Sequence, residues 1–320
     1  MSRHILGRAR TRLRRLVGPV TCAAAAWCLN GAAAPANQPN SNKAWFDAKS
    51  VCVFPLSARQ MPSDREELMT AMVNGWKGAL RLPDPDKVIT AEGGAYPSIT
   101  TLRIDLSDAV LRSEKKKAKL RLSNNVEKSL DVDHLEVVGD PLLLNRAKLH
   151  LSLTATGAEL ELERDKKGKP LMMLADAKGG KLTFDVTMRD IESLLLHGAR
   201  EAAGKYGITI EKTKLNLVAQ TPRSIQASLY VATKVGFIPA GMLFKAHVLV
   251  DDAMNAKLTG LTCDGDEALG PLIVSLLRPA LADYEGKTRP LLSFPAGHIK
   301  LKNLQLRIDD AVHLVAEFGS

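Results

Sequence analysis

From Ser98 onward, apolar and polar residues alternate with a period of two over most of the chain. Ile99, Leu102, Ile104 and Leu106 open the pattern. Between Val132 and Met188 strand is predicted to follow strand. Leu149, Leu151, Leu153 and Ala155 alternate with polar neighbours, and so do Leu160 with Leu162 and Leu182 with Phe184 and Val186. Asp165-Lys166-Lys167-Gly168-Lys169 reads as a turn between two of them. Strands with one apolar and one polar face belong to an antiparallel sheet that is wet on one side. The alternation resumes over 208–219, 224–234, 242–250, 254–262, 299–308 and 312–318.

Three segments break this period and read as helices. In 63–80, Leu68, Met69, Met72, Val73, Trp76 and Leu80 recur at helical spacing. Ser63 with Glu66 forms a capping box there, and Pro83 and Pro85 end the run. In 190–205 the apolar stripe is Ile191, Leu194, Leu195, Ala199, Ala202 and Ala203. In 267–284 it is Leu272, Ile273, Val274, Leu276, Leu277 and Leu281, and Pro279 is expected to kink this helix or end it early. The order is helix, strands, helix, strands, helix, strands. That is not βαβ alternation. It predicts an α+β fold: a long, highly curved, mostly antiparallel sheet wrapped around apolar helices.

The first thirty-six residues follow a different rule. Arg3, Arg8, Arg10, Arg12, Arg14 and Arg15 precede an Ala-rich apolar stretch from about Leu16 to Ala33, with no acidic residue among them. A basic start, an apolar centre and small residues before a polar run form the layout of a secretory signal. Cleavage is expected after Ala33 or Ala36. An uncleaved anchor fits less well, because Pro19 and Asn30 interrupt a stretch already short of the roughly 20 apolar residues a span needs. The organisation expected is therefore a signal peptide over 1–36, an extended lead-in over 37–60, and a single α+β domain over 61–320. The compartment expected is the periplasm or cell envelope.

Export changes how charge and cysteine are read. The chain holds 44 basic and 35 acidic residues, a formal net charge of +9. Six of the basic residues lie in the leader, so the remainder is only mildly basic. Aromatic residues are only 4% of the chain, too few to interleave with basic ones as a stacking platform, so no nucleic-acid partner is expected. Lys115-Lys116-Lys117 reads as a solvated loop. Cleavage leaves Cys52 and Cys263, which could form a disulfide in an oxidising compartment or remain two buried thiols.

No catalytic constellation stands out. There is no nucleophile elbow, phosphate-binding glycine loop, HExxH or CxxC. The histidines at 134, 150, 197, 247, 298 and 313 are scattered without ligand-like spacing. Asp264-Gly265-Asp266-Glu267 suggests either a calcium site or, in preference, carboxylates capping the third helix. No enzyme activity, cofactor or metal is expected. The apolar mass is Leu, Ile, Val, Ala and Met. Faces of that composition hold acyl chains by burying methylenes, at about 0.8 kcal/mol each.

Four stretches carry a family resemblance: Val137-Val138-Gly139-Asp140-Pro141-Leu142-Leu143, Leu182 to Thr187 leading into Asp190 to Leu195, and the strands at Arg223–Val231 and Phe244–Val250. Over roughly 98–318 the chain resembles the tubular lipid-binding (TULIP) superfamily, and within it the LmeA-like proteins of the bacterial envelope. The resemblance implies a curved sheet around a long helix, an apolar groove and no catalytic residues. The prolines of the third helix depart from the family pattern. The expected function is non-enzymatic binding or transfer of phospholipid or another acyl-chain lipid, with transient membrane contact. Candidate groove residues are Phe184, Val186, Ile191, Leu194, Leu195, Leu229, Val231, Phe244, Val248, Leu272 and Leu276. Two alternatives stay open. One is an envelope scaffold that pairs its sheet edge with a partner strand. The other is a hydrolase acting on an envelope polymer.

Overall fold

The computed structural model describes residues 53–58, 62–111, 122–165, 168, 170–204, 208–252, 254–290 and 299–320. The expected signal peptide, Cys52, most of the lead-in and the lysine run at 115–117 lie outside the described residues. In chain order the elements begin with β1 (Val53–Pro55), α1 (Arg65–Ala79), β2 (Leu80–Arg81), β3 (Ile89–Glu92), β4 (Ser98–Asp105) and β5 (Val110–Leu111). Three long strands follow: β6 (Leu122–Leu144), β7 (Ala147–Asp165) and β8 (Pro170–Thr187). Then come α2 (Met188–Gly204), β9 (Ile208–Thr221), β10 (Ser224–Val235), β11 (Ile238–Val250) and β12 (Asn255–Asp266). The last elements are α3 (Gly270–Ala282), β13 (Thr288–Pro290), β14 (Lys300–Ile308) and β15 (Ala311–Gly319).

The fold is α+β, dominated by sheet, as the alternation predicts. Sequence alone assigned 61–320 to one domain; the chain divides into two compact units. One holds the described residues of 53–187, 299–306 and 311–320. The other holds 188–291 and 307–310.

The first unit carries a ten-stranded sheet with the main order β14-β15-β8-β7-β6-β4-β3; β1 pairs with β8, and β5 links β2 to β6. The sheet is open rather than closed into a barrel. It is also mixed: β4 runs parallel to β6, from Ser98 opposite Asp131 to Asp105 opposite Val138. The sheet is thus mostly antiparallel, as expected, with β6 pairing in parallel to β4 and β5. Apolar alternation fixes which face a residue takes, but not the direction of the neighbouring strand. Leu130, Val132, Leu135 and Val137 of β6 and Leu153, Ala155, Leu160 and Leu162 of β7 are buried. So are Leu68, Ala71 and Met72 of α1. Gly75 lets α1 approach β1 closely, since a Cβ there would sit 2.1 Å from the Pro55 carbonyl oxygen. The cap of α1 is one residue later than the sequence suggests. Asp64 accepts from the Glu67 N–H at 2.8 Å, and the Glu67 carboxylate accepts from the N–H and hydroxyl of Ser63.

The second unit carries a five-stranded sheet, order β13-β12-β11-β10-β9, with α2 packed along β9 and α3 along β12 and β11. Pro279 does not end α3, which continues to Ala282. The acidic cluster does not cap it either. Its N-cap is Leu269, with no side-chain cap, and Asp264 and Asp266 belong to β12.

Candidate functional site

The unit of the five-stranded sheet holds most of the sequence-derived candidates, four of them on the sheet itself. The register of β10 against β11 sets Leu229 opposite Phe244, Val231 opposite Met242 and Ile225 opposite Val248. On the other side, Leu229 faces Leu215 of β9, and Phe244 faces Cys263 of β12. Residues two apart along a strand share a face. One face therefore carries Ile210, Leu215 and Leu217, then Ile225, Ala227, Leu229 and Val231, then Met242, Phe244, Ala246 and Val248. All of these are buried. Thr213 and Thr233 interrupt this face. Each spends its hydroxyl on a carbonyl, Thr213 on Glu192 at 3.3 Å and Thr233 on Ala240 at 3.1 Å.

On α2, the predicted stripe is buried at Ile191, Leu194, Leu195, Ala199 and Ala203. His197 is exposed. On α3, the buried residues are Val274, Leu277 and Leu281, at helical spacing. Leu272 falls out of phase with them and is 58% exposed, so it does not belong to this face. Leu276 lies in α3, but its side chain is outside the described set. The sequence reading missed Leu215, Leu217, Met242, Val274 and Leu277 as members. The spacing of Val274, Leu277 and Leu281 could have supplied the α3 set.

Helix α2 and the turn after α3 also satisfy backbone groups at margins of this sheet with polar side chains. A strand edge presents N–H and C=O groups that no strand partner satisfies. Glu192 of α2 accepts from the Leu215 N–H at 2.8 Å, and Arg200 donates to the carbonyls of Ile210 (2.9 Å) and Glu211 (3.2 Å). Past the end of α3, the Glu285 carboxylate accepts from the N–H groups of Gly260 and Leu261 at 2.9 and 2.8 Å. The start of α3 is fixed by close backbone contact. A Cβ on Gly270 would lie 2.6 Å from the Gly241 carbonyl oxygen, and one on Gly265 would lie 2.3 Å from the Gly270 carbonyl carbon.

Cys263 carries a free thiol and is only partly buried. Burial pushes that thiol up to about 12, and the negative charge of Asp264 adds to the shift. Cys52, its possible disulfide partner, lies outside the described residues. The opposite face carries ion pairs beside the exposed side chains of Val218 and Leu249. Lys234 pairs with Glu211 at 2.5 Å and Lys245 with Asp264 at 3.7 Å. The Tyr230 hydroxyl donates to Asp266 at 3.4 Å. Desolvation and the charges of Asp266 and Glu267 raise the Tyr230 phenol above its ordinary value.

Phe184 and Val186 belong to the ten-stranded unit. Val186 is buried between Leu149 and Val312, while Phe184 forms a half-buried row with Leu151 and Leu314. The other face of the same strands carries a pattern that histidine spacing did not disclose. His150 stands opposite Asp185, and Asp185 opposite His313. Nδ1 of His150 pairs with Asp140, and Nδ1 of His313 with Asp185. Acid and imidazole thus alternate across four strands. They form a line rather than a cluster, and among the described residues no group of three His, Cys, Asp or Glu could hold a metal ion.

No family model and no curated protein matches the chain. Among solved structures, the chain is similar to one described as a lipopolysaccharide binding protein, at 13% identity and a TM-score of 0.19. The match covers 49% of this chain and 53% of that one, so the chain spans about half of that protein's length. A likeness at this level carries no argument about fold or function. The class defined by the structure itself is an α+β protein of two units, each a sheet with an apolar face backed by helix.

Proposed function

We propose that the protein is a non-enzymatic binder of phospholipid or another acyl-chain amphiphile, exported to the bacterial envelope, which holds its ligand against an apolar, curved sheet-and-helix surface. The observation that carries this reading is the composition and alignment of the five-stranded sheet's apolar face. Leu229, Val231, Phe244 and Val248 fall on one face, and Ile191, Leu194 and Leu195 form the buried stripe of the helix along its β9 edge. Aliphatic side chains predominate there, and they suit methylene chains, which gain about 0.8 kcal/mol per buried CH2. The half-buried row of Leu151, Phe184 and Leu314 adds a second apolar surface that its own unit covers incompletely.

A scaffold that recruits a partner strand needs an open edge. Along β9 at residues 210–215 and along β12 at 260–261, edge groups are already taken by Glu192, Arg200 and Glu285. Strand addition at those positions is thereby disfavoured.

The test is native mass spectrometry of the mature chain purified from its own envelope, with organic extraction of whatever accompanies it. The expected result is a discrete acyl-lipid adduct near one per protein. A clean apo mass with no uptake of offered phospholipid would sink the reading.

A further inference from the structure

Seven large apolar side chains are exposed among the described residues, and three of them converge at one end of the five-stranded sheet. The β10–β11 hairpin turns at Gly236, whose φ of +64° suits a residue without Cβ. Immediately after the turn, Phe237 is 100% exposed and Ile238 46%. The first turn of α3 starts beside the base of this hairpin. The Leu269 N–H donates to the Pro239 carbonyl at 3.4 Å, and Gly270 lies against the Gly241 carbonyl. The next exposed residues of that helix are Pro271 and Leu272. Two elements thus bring Phe237, Ile238 and Leu272 to the same end, where Pro239 and Pro271 are also exposed.

We propose that this hairpin tip, with the start of α3, is a membrane-docking surface that inserts Phe237 and Ile238 into the outer part of a lipid bilayer. This goes beyond the acyl-binding reading: it concerns docking and requires no bound ligand. Three observations select the occupant. Phe237 stands fully exposed at the hairpin turn, whereas small-ligand sites enclose their ligand in a concave pocket. Three side chains of this size offer on the order of 400 Å² at most, about half of what each partner contributes to a stable protein interface. A soft apolar phase needs no complementary pocket to accept such a tip. The charges nearby nearly cancel, Lys234 and Lys212 against Glu211, Asp266 and Glu267, with no basic excess to draw anionic lipid. Docking is therefore driven by apolar insertion and should depend little on salt or on anionic lipid.

The experiment is flotation of the mature full-length chain with phosphatidylcholine vesicles, at low and high salt. The wild type is expected to float at both. Phe237→Asp/Ile238→Asp should lower the bound fraction by more than about tenfold, with an unchanged melting temperature. Leu272→Asp should weaken binding independently, and Phe237→Trp should preserve it. The proposal is overturned if the wild type stays with the dense fraction, or if the double variant floats equally well. It is also overturned if light scattering shows a dimer that the double variant dissolves, since a second copy would then be the occupant. Native mass spectrometry of the same proteins keeps the two readings apart. A wild type that floats without carrying lipid supports the docking tip and counts against the proposed function. One that carries lipid but does not float does the reverse.

Discussion

At the scale of single residues, environment decides chemistry more than identity does. Cys263 reads from sequence as a disulfide candidate or a buried thiol; it faces Phe244 across the ladder, and burial pushes its thiol up to about 12. The thiolate is the reactive species, so at pH 8 the folded chain should hold Cys263 almost wholly as thiol. Iodoacetamide labelling followed by peptide mapping should find Cys263 modified at least about tenfold more slowly in the native protein than in urea. Equal rates in the two states would contradict the burial. The same shift has a sign for stability. The folded value lies above the unfolded one, so the stabilisation is complete below the unfolded value and is lost as pH rises towards about 12. Single residues were also where the sequence was least legible. Capping at Asp64 rather than Ser63, and the outward phase of Leu272, are shifts of one or two positions. Periodicity tolerates such shifts, whereas side-chain direction does not.

Among elements, the most consequential arrangement is the guarding of the β9 edge by α2. α2 buries Ile191, Leu194 and Leu195 and also spends Glu192 and Arg200 on backbone groups of β9. Glu192→Ala would leave the Leu215 N–H without its partner, at a cost of about 1–3 kcal/mol. The urea midpoint should fall accordingly. Combined with Arg200→Ala, the exposed edge should promote association, visible as concentration-dependent light scattering. Glu192→Gln keeps an acceptor oxygen and should retain most of the stability. An unchanged midpoint and a monodisperse double variant would show that these contacts contribute nothing. The stripes of α1 and α2 and the long strands were legible from apolar period alone, because burial on one face is what that period encodes. The pairing of Glu192 with β9 was not, since it joins positions 23 residues apart through a side chain that any exposed helix could carry. Nor was the persistence of α3 through Pro279, which the rule for proline in helices argues against.

For the whole molecule, the alternation and the order of elements disclosed the α+β class, but neither disclosed the division into two units. Strands of both units share the same half-apolar pattern, so nothing in the period marks where one sheet stops and the next begins. The boundary falls at Thr187, where β8 passes directly into α2 without a linker. The parallel pairing of β4 with β6 was hidden for a related reason, because it joins strands that are not neighbours in sequence. The unit over 188–291 is nearly continuous in sequence, with only 307–310 added from elsewhere. It has its own apolar face in Leu215, Leu229, Val231 and Phe244, its own helices, and polar side chains on backbone groups at its sheet margins. Domains of about 100 residues commonly bury enough surface to fold alone. Excision removes the hydrogen bond from the Met188 N–H to the Asp310 carbonyl, which lies at the very start of α2 and outside its apolar stripe. A fragment spanning 188–291 should therefore give dispersed amide proton resonances. It should also unfold in urea in one transition, with a slope of roughly 1–2 kcal/mol/M suited to its size. A collapsed spectrum without a transition would mean that the apolar face of this sheet depends on the rest of the chain for its order. The proposed acyl-binding surface would then have to be sought in the intact protein alone.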